Sequence, residues 1–140
     1  MRLALGLAIA ALACTATACT ATVSPAPEPG PPIVTSSTGS LTVDWSISGT
    51  KDPNQCIATN SSAIEITVTD VNGVPIGTFQ QSCTAFATSI TLDPGRYAAD
   101  ASLIDPVGTP RTTIVNIAPF TIFGNDDFNA PIDFPASSFF

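Results

Sequence analysis

The chain has 140 residues with 4 Lys plus Arg, 11 Asp plus Glu and no His, for a net charge of −7. Beyond Arg2 its cations are Lys51, Arg96 and Arg111 alone; a body this acidic cannot neutralise a phosphate backbone, which excludes nucleic-acid binding. Without His the commonest general base and both Ser-His and Cys-His nucleophile pairs are missing, and no Gly-rich phosphate loop occurs, so the composition points to a non-enzyme without a cofactor.

Residues 1–18 read as an export signal. Arg2 precedes an apolar run from Leu3 to Ala13, and the small residues Thr15-Ala-Thr-Ala18 lead into Cys19. The run is too short for a stable membrane span. Ala16-Thr17-Ala18-Cys19 resembles the site at which bacterial lipoprotein precursors are acylated and cut by signal peptidase II, with Ala16 where that family prefers Leu. The resemblance implies lipidation at Cys19, with a diacylglyceryl group on the sulfur and a third acyl chain, of palmitate type, on the amine. One chain alone anchors marginally, and several anchor stably.

Two alternatives stand beside this reading. Cys14, after Ala11-Leu12-Ala13, is the rival acceptor, with its Leu at the wrong place and a very short signal before it. An ordinary signal cleaved after Ala16 or Ala18 would give a secreted protein. Thr20 follows Cys19 where an Asp would resemble an inner-membrane retention signal, so the resemblance implies the outer membrane. The acidity of the chain would repel anionic headgroups, so attachment to the membrane rests on the lipid anchor.

Residues 19–39 are rich in Pro, Ser and Thr. In Ser24-Pro-Ala-Pro-Glu-Pro-Gly-Pro-Pro32, six of nine residues lack a backbone donor or a β-carbon. The expected form is an extended tether of up to about 60 Å, at about 3.1 Å per residue.

From Ser40 to Phe140 the pattern turns to period two. Leu41, Val43, Trp45 and Ile47 alternate with Thr42, Asp44, Ser46 and Ser48, as in a half-buried strand. Ile64, Ile66 and Val68 make the second strand, and Asn72-Gly73 turns it back through Ile76 to Gln81. Thr88, Ile90 and Leu92 form another, ended by Asp93-Pro94-Gly95; Tyr97, Ala99, Ala101 and Leu103 continue the alternation. Asp105-Pro106-Val107-Gly108 turns again, and Arg111 to Phe123 reads as one long strand or two short ones broken near Pro119. No helical period follows the signal. About seven strands with frequent turns predict a single all-β domain, an antiparallel β-sandwich.

Leu92-Asp-Pro-Gly-Arg-Tyr97 is similar to the L-x-P-G-x-Y element of prealbumin-like sandwiches, among them carboxypeptidase-regulatory-like and collagen-binding-B-type modules. There Pro-Gly makes the turn and Tyr packs inward. The wider layout, with Trp45 on the first strand, the pair Cys56 and Cys83, the Pro94-Gly-Arg-Tyr97 turn and a Phe-rich end, resembles small envelope lipoproteins of myxobacteria and their relatives, a group that implies an address and no activity.

Cys56 and Cys83 are an even pair in an exported chain and are expected to form a disulfide. Closing that loop stabilises by about 3.5 kcal/mol in the chain-entropy model. Gly124-Asn-Asp-Asp127 clusters oxygen donors, with Asn129 and Asp133 nearby, so Asp126, Asp127 and Asn129 are the candidates for Ca²⁺, although turn chemistry is the plainer account. Asp44, Glu65 and Asp100 fall on outward phases, as solvated acids do. Trp45 and Tyr97 fall on inward ones, so they belong to the core rather than to a sugar-binding platform. The Phe-rich end is expected to plug the sandwich; exposed, Phe128, Phe134 and Phe139 would instead form a partner surface. The sequence thus reads as a non-enzymatic cell-envelope lipoprotein whose sandwich serves as a structural or protein-interaction module for an envelope partner. The alternatives are a Ca²⁺- or glycan-binding module and an unlipidated secreted protein.

Overall fold

The computed structural model describes residues 37–140. The expected export signal, Cys14, Cys19 and nearly all of the expected tether therefore lie outside the described residues.

Seven strands form two packed sheets: β1 (Gly39–Ile47), β2 (Ala63–Asp70), β3 (Pro75–Ser82), β4 (Ala87–Leu92), β5 (Gly95–Ile104), β6 (Val115–Ile122) and β7 (Asp127–Phe134). One sheet has the order β4-β1-β7 and the other β3-β2-β5-β6. All pairings are antiparallel except β1 with β7, which run parallel from Ser40–Asp127 to Ile47–Phe134.

The alternation read from the sequence sets the core. Leu41, Val43, Trp45 and Ile47 face Ile64, Ile66, Val68, Ala99, Ala101 and Leu103 across the sandwich, all buried. Trp45 and Tyr97 are both inside, as their strand phases required. Gly39 begins β1 because the backbone of Phe123 and Asp126 passes so close that a β-carbon would stand 2.5 Å from the Phe123 carbonyl oxygen.

Three features depart from the sequence reading. A short helix, α1 (Pro53–Ala58), follows β1; Asp52 caps it by accepting a hydrogen bond from the Asn54 amide, and Pro53 sits in its first turn. β6 runs through Pro119 as one strand, the first of the two readings, but begins only at Val115 rather than near Arg111. Tyr97 pairs with Phe120 and Ala99 with Ile117, so Ala118 and Pro119 together oppose Ala98 in a bulge. The bulge absorbs the missing proline donor and lets both Ile117 and Phe120 point inward.

The third departure is at the C-terminal side, where the sequence suggests turn chemistry around Asp127 and Asn129. They lie on β7, whose Phe128, Ala130, Ile132 and Phe134 turn inward while Asp127, Asn129, Pro131 and Asp133 turn out. Phe134 is fully buried, Phe128 and Phe139 pack against the core, and Phe140 is exposed.

The strand register gives the sandwich two poles. At the near pole, where the chain enters through Ser37, lie the start of β1, the ends of β4 and β6, the start of β5 and the β2–β3 hairpin. At the far pole lie α1, the 105–114 loop and the C-terminal residues. Among the described residues no helix is long and apolar enough to cross a membrane.

Candidate functional site

At the far pole, Cys56 on α1 is bonded to Cys83 in the 3-10 turn that follows β3, across 27 residues of sequence. Both cysteines are buried. The bridge ties the β1–β2 connection to the point where the chain passes from one sheet to the other. It also fixes α1, so that Ile57, 77% exposed, projects from a stapled helix.

The Ca²⁺ candidates do not converge. The Asp127 carboxylate accepts from the Ser40 hydroxyl at 2.7 Å and the Thr42 hydroxyl at 2.8 Å. These two bonds, Ser40 first, hold its pKa below the ordinary value. Asn129 instead supports Asp44, and Asp126 accepts from the Asp127 amide. Among the described residues no group of three or more Asp, Glu, Cys or His side chains is arranged to hold a metal ion. The cluster is divided between the end of a loop and the outer face of a strand, and each of the three side chains has a partner in the protein.

The other acids are dispersed similarly. Asp44, on the three-stranded sheet, pairs with Lys51 at 2.6 Å, and Lys51 is the main cause of its lowered pKa. Asp133 accepts from the Ser46 hydroxyl and the Gly49 amide. Glu65 accepts from Gln80, and Asp100 lies on β5 of the same four-stranded sheet. Among the described residues every buried side-chain polar atom has a partner, so nothing in the core points to a missing ligand.

One concavity has a composition that the sequence did not draw together. On the outer face of the four-stranded sheet, at the near pole, a cleft of about 390 Å³ is lined by Thr69, Asp70, Val71, Gly73, Arg96, Tyr97, Ala98 and Pro119. Thr69 pairs with Ala98 across β2 and β5, and both line it. Tyr97 is turned inward, its hydroxyl donating to the Asp93 carbonyl at 2.9 Å and its ring 6.0 Å from that of Phe120. Arg96 was visible in the sequence only as one of few cations. What gives it a setting is the Pro119 bulge on the neighbouring strand β6, which no local pattern announces.

No family model matches this chain, and no curated protein does. Among solved structures, the chain is similar to one described as the Bacillus anthracis TIE protein, at 13% identity and a TM-score of 0.45, over 70% of this chain and 16% of that one. This chain therefore spans a small part of that neighbour's length.

Proposed function

We propose that this protein is a non-enzymatic lipoprotein of the bacterial cell envelope, anchored through Cys19, whose sandwich acts as a structural or protein-interaction module. The observation that carries the reading is the Cys56–Cys83 bridge in a chain whose first nineteen residues resemble a lipoprotein signal. Disulfides persist in exported compartments and are rare in a reducing cytosol. The far pole supports a partner-facing role: Val107 is 85% exposed, Ile57 77% and Phe140 71%, the three highest values among the large apolar residues described. Val107 is also held in place, since the Asp105 carboxylate accepts from the amides of both Val107 and Thr109.

The intact mass of the protein extracted from its native membrane in detergent tests this. The expected mass is that of the chain from Cys19 onward plus acyl chains, less two hydrogens for the bridge. An unacylated chain in the medium, beginning at Thr17 or Cys19, overturns the anchor.

A further inference from the structure

The geometry points to a binding site for a carboxylate bearing a short apolar body in the near-pole cleft, with Arg96 as the group that takes the carboxylate. Two irregularities shape the cleft, and they fall at one level of the sheet. β2 and β3 shift register between Val68 and Thr69, and β5 and β6 shift between Tyr97 and Ala99, on either side of the Thr69–Ala98 pair. Bulges bend and twist the strands that carry them. One on each flank of Ala98 makes this part of the face concave, with the hairpin tip at Val71 and Gly73 on one side and Pro119 on the other.

The charges in the cleft are unequally committed. Asp70 is engaged by its own turn: one oxygen accepts from the Asn72 amide at 2.8 Å and the Val74 amide at 2.9 Å, and the other from the Asn72 side chain at 3.3 Å. Arg96 makes no ion pair among the described residues, where Lys51–Asp44 is the one salt bridge. Its guanidinium therefore offers a planar set of donors that matches a carboxylate, beside the apolar surface of Val71, Ala98 and Pro119. The volume suits a small molecule or the last residue of a peptide, within the range of pockets that take such ligands. This inference is independent of the anchor at Cys19.

Titration of the whole isotopically labelled protein, followed by NMR at the Ala98 amide and the Arg96 side-chain Nε–H, tests it. The probes are N-acetylvaline, for a peptide end, and hexanoate, for a free acid, each beside its uncharged amide. The expected result is a saturable shift at both positions with one or both acids, and at least about tenfold weaker binding of the amides and of the acids to Arg96→Gln. Saturation by N-acetylvaline alone identifies a peptide terminus as the source of the carboxylate, and saturation by hexanoate alone a free acid. Equal binding of acid and amide, unchanged binding to R96Q, or no saturable shift with either acid up to about 20 mM, weaker than any useful affinity, overturns the proposal.

Discussion

The indole Nε1–H of Trp45 donates to the carbonyl of Cys83 at 3.0 Å, inside the core and across 38 residues of sequence. The Trp45 amide in turn donates to the Phe86 carbonyl, and the two rings stand 6.3 Å apart. Trp45 thus grips both ends of the turn by which the chain leaves one sheet for the other. Replacing it with Phe removes the indole donor from a buried carbonyl and leaves part of the indole volume empty. The expected loss is about 2–4 kcal/mol, read as a lower urea midpoint for Trp45→Phe.

The disulfide acts on the same turn from the other side. Converting both Cys56 and Cys83 to Ala frees the unfolded chain from a 27-residue constraint. Stability should fall by about 2–4 kcal/mol, with the folded domain retained at room temperature. Urea unfolding of the double variant beside the oxidised parent measures this. Unfolding of the parent under reducing conditions should approach the variant's midpoint, because the covalent link rather than sulfur packing carries the difference.

Much of the sandwich was legible because its inner faces keep strict period two. Leu41 to Ile47 and Tyr97 to Leu103 alternate without interruption, and both are buried as the alternation requires. The misreadings have particular causes. In Asp127–Phe134 the alternation is equally regular, but Asp127, Asn129, Pro131 and Asp133 on the outer phase look like loop residues when read one by one. The signal for α1 was present in Asp52-Pro53, a capping residue before a first-turn proline, but six residues are too few to show a helical period. The parallel pairing of β1 with β7 has no local signature, since nothing in either strand encodes the direction of its neighbour. Nor does the near-pole cleft, which depends on where two bulges fall against each other.

Thr112 is another residue whose role appears only in three dimensions. It lies outside the named strands, is 1% exposed, and its hydroxyl accepts from the Leu103 amide at 3.0 Å. Thr112→Val keeps the shape and removes the acceptor, leaving a buried amide unpaired. The expected cost is about 1–3 kcal/mol, and Thr112→Ser, which keeps the hydroxyl, should cost less. Hydrogen exchange at the Leu103 amide separates the two: it should quicken in the valine variant beyond the change in global stability and follow that change in the serine variant.

The acid limb of the stability curve should report on three surface carboxylates, Asp127 exposed and Asp44 and Asp70 partly so. Asp70 is held below its ordinary pKa chiefly by the Val74 amide, Asp127 by the Ser40 hydroxyl and Asp44 by Lys51. A carboxylate with a depressed folded pKa contributes stability that is present above its unfolded value, near about 3.9. That contribution is lost as the pH falls through the folded value. The melting temperature should therefore be level near neutrality and decline below about pH 4. The three causes differ in their response to salt. Raising the ionic strength should weaken the Asp44–Lys51 contribution, which joins two solvated charges, and leave the contributions of Asp70 and Asp127 largely in place, because short hydrogen bonds supply them. Asp70→Asn keeps acceptors for the turn amides while losing the charge, so it should flatten the acid decline without opening the hairpin. Asp70→Ala should lower the melting temperature at neutral pH as well. Melting curves of the parent and both variants between pH 2 and 7, at low and high salt, measure these differences. An acid decline of unchanged steepness in Asp70→Asn would show that the hairpin carboxylate contributes nothing through its charge.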